Sequence, residues 1–237
     1  MTSNKNNPPN KNMSHWIIEA EKHGISLNGF HTSKLEDLKL LINSKLPMFE
    51  THILPYLDFI NSPSYAEDFL KKAPSLVILA IPDTASLPRA HKMGISSYDE
   101  CKNFLIQKGV DQNKNNYSVV LINPEGENKK GGIIISRDTG LLLEVVDGTV
   151  EDISYGINPS ISYQIDFTRV GHLEDKVIWN KGGSFEDKKL VKSILSYLTL
   201  NPDSFNPLFL RGYFEVVITQ TDEIKFIDYK VNKMYLK

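Results

Sequence analysis

Two acidic residues near the C-terminal end of the chain, Glu215 and Asp228, have the type and spacing to bind a metal ion. The apolar and β-branched residues around them predict one strand over residues 211–220 and a second over 223–230. The two strands are separated only by a short polar turn, so they form a hairpin. Carboxylates on a rigid pair of strands are suitable ligands for Mg²⁺, which also takes water and substrate phosphates.

The register of this hairpin decides which side chains face each other. With a turn at residues 221–222, Glu215 lies directly opposite Asp228 and Tyr213 lies opposite Lys230. Like charges directly across an antiparallel pair are destabilising unless something positive lies between them. A divalent cation would be such a partner, and Lys230 stands beside it. The pattern therefore predicts a nucleotide site in outline.

An ordinary hairpin with a charged, solvated face is the alternative interpretation, because acidic and basic residues often alternate on such faces. The neighbours of the two acids argue for burial, and a buried acid needs a compensating partner. These neighbours are apolar: Phe214, Val216, Ile218, Phe226 and Ile227.

Composition excludes several classes of protein. The chain has 237 residues, of which 41% are hydrophobic, enough for a substantial core. Its 27 basic residues are balanced by 29 acidic ones without a basic stripe, so nucleic acid is not an expected partner. The single cysteine, Cys101, and the absence of an apolar leader favour the cytoplasm. The apolar runs are too short to span a membrane, so no membrane partner is expected.

Three regions follow from the pattern along the chain. Residues 1–13 are polar and rich in Asn and Lys, and we expect a disordered tail. Residues 14–116 read as a helical or mixed N-terminal lobe, with a helical layer over 14–72, a buried strand at 76–79 and a helix over 97–109. Residues 117–237 form the third region.

The third region has the pattern of an antiparallel meander with one long helix. Turn residues separate its first three strands, and a capping box at Ser184 and Asp187 opens a helix that reaches Leu198 and packs on one face of the sheet. The fold class is therefore α+β, with a largely antiparallel sheet and an N-terminal helical layer. The predicted strands are residues 117–122, 132–136, 141–146, 162–167, 176–179, 211–220 and 223–230.

Short motifs in the third region resemble the nucleotide-binding domain of phosphoenolpyruvate synthase and pyruvate phosphate dikinase, which has the ATP-grasp fold. A glycine-led strand with an Arg-Asp turn is followed by an acid, apolar residues and a glycine, and then by a glycine, a proline and an aromatic residue. These motifs are residues 131–138, 143–148, 156–159 and 163–166. The resemblance covers roughly residues 117–230 and implies an ATP-grasp-like nucleotide-binding lobe.

The resemblance also implies roles for charged residues. Glu215 and Asp228 fall on positions that bind Mg²⁺ or phosphate, with Asp where the family usually has Gln. Lys230, together with Arg137 or Arg89, would neutralise phosphate oxygens. Family members carry an early phosphate-binding lysine and an Arg-Ser-Ser segment. Residues 80–89 lack the first arginine of that segment, so Arg89 would have to substitute for it.

The adenine-contacting hinge of the family corresponds to the end of the strand at 117–122. Leu121, Ile122 and Asn123 would take the adenine through backbone groups, and Glu144 would contribute to nucleotide binding. The implied cofactors are ATP and Mg²⁺.

Two functions remain open from the sequence. One is a Mg-ATP-binding phosphotransferase, or a subunit of one, that passes a phosphoryl group to a separate phosphohistidine or acceptor domain in trans. The other is a catalytically degenerate module of the same fold that binds or regulates through protein contacts. The missing residues of the early lobe favour the second.

Overall fold

A computed structural model describes residues 34–84, 86–124, 126–137, 140–154, 157–166, 177–200 and 208–231. The predicted tail at 1–13, the first part of the predicted helical layer and the turn at 138–139 lie outside the described residues. None of the described helices is both long and apolar enough to span a bilayer.

The described part of the chain contains both helices and strands. The helices are α1 (Lys34–Asn43), α2 (Tyr56–Asn61), α3 (Ser64–Leu70), α4 (Tyr98–Gln107), α5 (Val150–Ser154) and α6 (Phe185–Leu198). The strands are β1 (Thr51–Pro55), β2 (Leu76–Pro82), β3 (Ala90–Ile95), β4 (Tyr117–Ile122), β5 (Asn128–Ser136), β6 (Gly140–Asp147), β7 (Ile161–Asp166), β8 (Val177–Lys181), β9 (Gly212–Thr219) and β10 (Ile224–Lys230). The strand pairs β1–β4, β2–β3, β2–β4, β5–β6, β5–β9, β6–β7 and β7–β8 are all antiparallel. The predicted α+β class with largely antiparallel sheets is therefore confirmed.

Two compact units divide the described chain. One holds the described residues of 34–127 together with 225–227, and the other holds those of 128–224 and 228–231. Each unit contains a β-sheet, of four strands in the first and six in the second.

The four-stranded sheet has the order β1-β4-β2-β3 and is covered on both faces. Alternate residues of β2 and β4, such as Ile78 and Val119, pack in one apolar cluster with Phe59 and Leu105. Val120, the residue after Val119, belongs to a second cluster with Leu38 of α1. Because neighbouring residues of a strand point to opposite faces, this alternation shows that β4 is buried on both sides.

The strand at 117–122 is present, but its predicted place in the C-terminal meander is wrong. It lies between β1 and β2, with Ile122 opposite both Thr51 and Val77. Strands that are adjacent in sequence usually pair. Here the residues of β4 that face the first core, Tyr117, Val119 and Leu121, bury their side chains among those of β2 and the helices instead.

Two strands of this sheet were not predicted. Residues 14–72 read as a helical layer, yet β1 lies within that range. β1 has no apolar alternation, and its residues are half-buried or exposed. Four of the six residues of β3 are exposed, so it has the composition of a loop. Helices α2 and α3 agree with the helical character of the region.

The six-stranded sheet has the order β10-β9-β5-β6-β7-β8. Its central strands β5 and β6 are buried along most of their length, which explains their continuous apolar runs. The helix α6 begins with the predicted capping box, in which Ser184 and Asp187 bond each other's backbone N–H groups. It buries Val191, Ile194 and Leu198, residues that recur on one helical face.

Candidate functional site

Four side chains of β9 and β10 form a compact group, which we call the acidic cluster: Tyr213, Glu215, Asp228 and Lys230. Asp228 is only 2% exposed. One carboxylate oxygen, Oδ1, accepts a bond from the backbone N–H of Tyr229 at 3.1 Å, and the other, Oδ2, lies 3.2 Å from Lys230 Nζ. The buried charge of Asp228 is therefore paired, as the chemistry of burial requires.

Tyr213 contacts both Glu215 and Lys230 of the cluster. Its hydroxyl donates a hydrogen bond to Glu215 Oε1 at 2.8 Å, and the ammonium of Lys230 lies 5.2 Å from the centre of its ring. Burial raises the pKa of Tyr213 far above its usual value, and the negative charge of Glu215, the hydrogen bond to it and the charge of Asp228 raise it further. Residues two apart on a strand share a face, and Lys230 contacts the ring of Tyr213, so both acids lie on one face of the hairpin.

The hairpin has the predicted register at the cluster and a different one at the turn. Tyr213 contacts Lys230, and the rings of Phe214 and Tyr229 stack at 4.6 Å, as expected if these residues face each other. At the turn, the N–H of Thr219 donates to Glu223 O, one residue away from the predicted pairing. Asp222 has a left-handed φ of 61°, a conformation that Asp tolerates better than most residues. The turn is therefore one residue longer than predicted, and β10 contains one extra residue.

Glu144 extends the acidic surface across the sheet. Ile133 of β5 lies opposite Glu215 on one side and opposite Glu144 on the other. Residues that are paired across antiparallel strands share a face, so both glutamates are on the same face about 10 Å apart, or two strand spacings. Glu144 is 4% exposed, and Ser162 lies opposite it on β7.

Arg137 lies at the end of β5 beside this face. Its backbone N–H donates to Gly140 O at 2.9 Å. Its Nε is buried and has no hydrogen-bond partner among the described residues. A buried guanidinium nitrogen without a partner is costly, so it is suited to receive an anionic group.

The other predicted site residues lie in the unit with the four-stranded sheet. Leu121 is 1% exposed inside its core, and Ile122 is paired in the sheet on both sides. The backbone N–H of Asn123 already donates to Glu50 O at 3.0 Å. That bond occupies one of the backbone groups of Asn123, and the predicted contact of these backbone groups with adenine stays a prediction. Arg89 is exposed in the loop before β3.

Two residues of the site were not predicted as functional. Tyr213 was expected to face Lys230, but its bond to Glu215 was not foreseen, although the spacing of two residues along one strand was a usable signal. Ser162 lies opposite Glu144 only because β6 pairs with β7, and no local pattern in the sequence encodes that pairing.

The donor set fits a metal only in part. Across the part of the chain that the structure describes, no group of three or more His, Cys, Asp and Glu side chains is placed to hold an ion. Mg²⁺ needs only one or two carboxylates when nucleotide phosphates complete its shell. Glu215 and Asp228 therefore suit Mg²⁺ that is bound together with a nucleotide, and they do not form a closed protein cage.

Comparisons with known proteins found solved structures only, since no family model and no curated protein matches the chain. D-alanyl-alanine synthetase A from Vibrio cholerae is 10% identical, with a TM-score of 0.45 over 91% of this chain and 62% of that one. The D-alanine-D-alanine ligase from Coxiella burnetii is 9% identical, with a TM-score of 0.42 over 84% of this chain and 47% of that one. The ATP-grasp ligase PsnB, complexed with a precursor variant, Mg and ADP, is 8% identical, with a TM-score of 0.38 over 92% of this chain and 57% of that one.

The chain spans between 47% and 62% of the length of these three proteins. Because the identities and TM-scores are low, a functional assignment depends on the motifs of the chain and on the geometry of the acidic cluster.

Proposed function

We propose that this chain is an ATP-grasp-like protein that binds a Mg-nucleotide on the six-stranded sheet. The observation that supports the proposal is the acidic cluster, in which Asp228 is paired with Lys230 and Glu215 is bonded by Tyr213 on the neighbouring strand. Burial of a carboxylate such as Asp228 carries a desolvation cost, which a functional role would explain.

In this proposal, Glu215 and Asp228 hold Mg²⁺, and Lys230 and Arg137 neutralise phosphate oxygens. Bound Mg²⁺ would supply charge neutralisation for the phosphates. The acidic face would extend to Glu144, which lies two strands from Glu215. Phosphoryl transfer of the phosphoenolpyruvate synthase type, or ligase chemistry like that of the matched enzymes, needs mainly positioning and charge neutralisation, so few further side chains are required.

The proposal is tested by heat denaturation with and without Mg-ATP. A ligand at a hundredfold excess over its dissociation constant stabilises the fold by about 2.7 kcal/mol. We expect such a shift for the wild type and a smaller magnesium-dependent part of it for Asp228→Asn, which removes one negative charge from the metal site. Asp222→Asn is the matched control, because its carboxylate is exposed and pairs with Lys129 at the turn. An equal shift for both variants would contradict the assigned role of Asp228.

The second candidate function is the degenerate binding module. It is favoured by the bond between the Asn123 N–H and Glu50, which occupies one of the backbone groups of the predicted adenine hinge. This candidate predicts no calorimetric heat and no thermal shift with millimolar ATP or GTP and Mg²⁺. Such a result would replace the nucleotide proposal with a role in protein contacts.

A further inference from the structure

Lys230 places a positive charge beside one of the two acids of the cluster. Its ammonium is 3.2 Å from Asp228 Oδ2, and the same ammonium lies over the ring of Tyr213, whose hydroxyl is bonded to Glu215. The lysine is therefore coupled to one carboxylate directly and to the other through a single tyrosine.

The two partners of this ion pair differ in their exposure to solvent. Asp228 is 2% exposed, whereas the side chain of Lys230 is 27% exposed. The carboxylate is fixed in the sheet, while the ammonium ends a flexible four-carbon chain with access to solvent. Of the two partners, only the lysine is free to move to a new anion without unfolding a strand.

A divalent ion and an ammonium compete for the same oxygen. Mg²⁺ bound to Asp228 would place two cations next to each other if Lys230 stayed in position. Nucleotide phosphates remove that conflict because they offer the lysine new oxygens and provide further ligands to the metal. Metal alone offers neither.

We propose that Lys230 is a resident cation of the acidic cluster, which excludes free divalent metal and admits it only together with a nucleotide whose phosphates draw the lysine away. This inference rests on the proposed nucleotide site and adds an order to it: metal and nucleotide bind as one complex, and free metal does not bind first. Lys230 therefore determines whether the site accepts free metal or only metal that is bound to a nucleotide.

The test is a titration of the full chain with Mn²⁺, followed by electron paramagnetic resonance, in the presence and absence of a non-hydrolysable ATP analogue. For the wild type we expect no saturable binding of Mn²⁺ alone up to millimolar concentration and clear binding with the analogue. For Lys230→Met and Lys230→Gln we expect at least about a tenfold gain in affinity for Mn²⁺ alone, since the ammonium that competes with the metal for Asp228 is then gone. The double variant with Asp228→Asn should lose that gain.

Lys129→Met is the matched control. It removes the same charge from the same sheet, but its partner Asp222 is 72% exposed and lies at the turn. Its affinity for Mn²⁺ should equal that of the wild type. Saturable binding of Mn²⁺ alone to the wild type, with the affinity seen alongside the analogue, would overturn the inference even if the Lys230 variants did not fold. A folded Lys230 variant with no gain would also overturn it.

Failure of the proposed function has a different signature. If the analogue binds to no variant, with or without metal, the nucleotide proposal fails. A gain of Mn²⁺ affinity in Lys230→Met would then still show that the lysine excludes metal from the acidic cluster.

Discussion

Tyr213 donates the hydrogen bond that holds Glu215 in the acidic cluster. Its hydroxyl is bonded to a carboxylate, and hydrogen bonds to charged groups contribute about 1.5–3 kcal/mol to stability. We expect Tyr213→Phe to lower the free energy of unfolding by about 1–3 kcal/mol, because Glu215 loses a donor in a partly buried site. Urea denaturation measures this loss.

Tyr98→Phe is the control for Tyr213→Phe. The hydroxyl of Tyr98 donates to the neutral carbonyl of Ile60 at 3.0 Å, a bond of comparable length without a charge. Its removal should cost about 0.5–1.5 kcal/mol. If both variants lost the same stability, the bond between Tyr213 and Glu215 would have no special electrostatic strength.

Alkaline pH should destabilise the fold through buried tyrosines. Burial raises the pKa of both Tyr163 and Tyr229 from 10.0 to about 12. Since the folded pKa is above the unfolded one, the folded protein holds more protons between these values. The associated stability is complete below pH 10 and is lost as the pH rises through about 12. Urea midpoints measured from pH 9 to 12 should fall, and the midpoint of the Tyr163→Phe variant should fall less steeply over the same range. A flat profile would contradict the burial of these hydroxyls.

At the scale of single residues, local alternation and a polar turn define which hairpin residues share a face, so the sequence could predict part of the acidic cluster. Lys230 contacts Asp228 and the ring of Tyr213, as the predicted register requires, and the role of the two acids in metal binding stays a prediction. The row from Glu215 through Ile133 to Glu144 depends on the pairing of β5 with both β9 and β6. No local pattern carries that information, so the position of Glu144 relative to Glu215 was not available from the sequence.

At the scale of elements, the start of β9 controls the position of Lys230. Gly212 has a φ of 142°, and a Cβ added to it would lie 2.4 Å from the carbonyl oxygen of Lys230. We expect Gly212→Ala to cost on the order of 2–5 kcal/mol, from positive-φ strain and from overpacking against β10 together. It should also weaken nucleotide binding, because the backbone of Lys230 must shift. Denaturation and calorimetry measure the two effects.

Gly94→Ala separates strain from crowding. Gly94 has a φ of 73°, but an added Cβ would meet nothing within 4 Å. Its cost should be about 1–2 kcal/mol, from the backbone alone. Equal losses for the two variants would mean that the close approach of Gly212 to β10 has no energetic weight.

The predicted elements were most accurate where a strand or helix carries its own complete pattern. The capping box of α6 and the apolar runs of β5 and β6 are such cases. β3 has no apolar alternation because most of its residues face solvent, and β1 is short and ends at a proline. The partners of β4 are far away in the chain, so its sheet could not be chosen from its neighbours in sequence.

At the scale of the molecule, Cys101 reports on the unit that contains the four-stranded sheet. It is the one cysteine of the sequence, and burial raises its pKa to about 12. Since the thiolate is the reactive form, we expect labelling by a disulfide reagent at pH 8 to be at least about a hundredfold slower in native protein than in urea. Labelling should accelerate with the unfolding transition. Rapid labelling in the absence of urea would show that α4 opens locally.

The central position of β4 in its sheet has a consequence during synthesis. β2 pairs with β3 along one edge and with β4 along the other, where Pro82 lies opposite Tyr117. The edge that pairs with β4 therefore has no partner strand until the ribosome has made about another 35 residues. At about 5–20 residues per second, that delay is about 2–7 seconds. Throughout it, a run of Leu, Val, Ile and Ala presents an unsatisfied edge, which is the kind of surface that chaperones bind and that aggregates recruit. Substitutions that weaken β4 should therefore lower the yield of soluble protein in cells more than substitutions elsewhere that cost the folded chain the same free energy of unfolding.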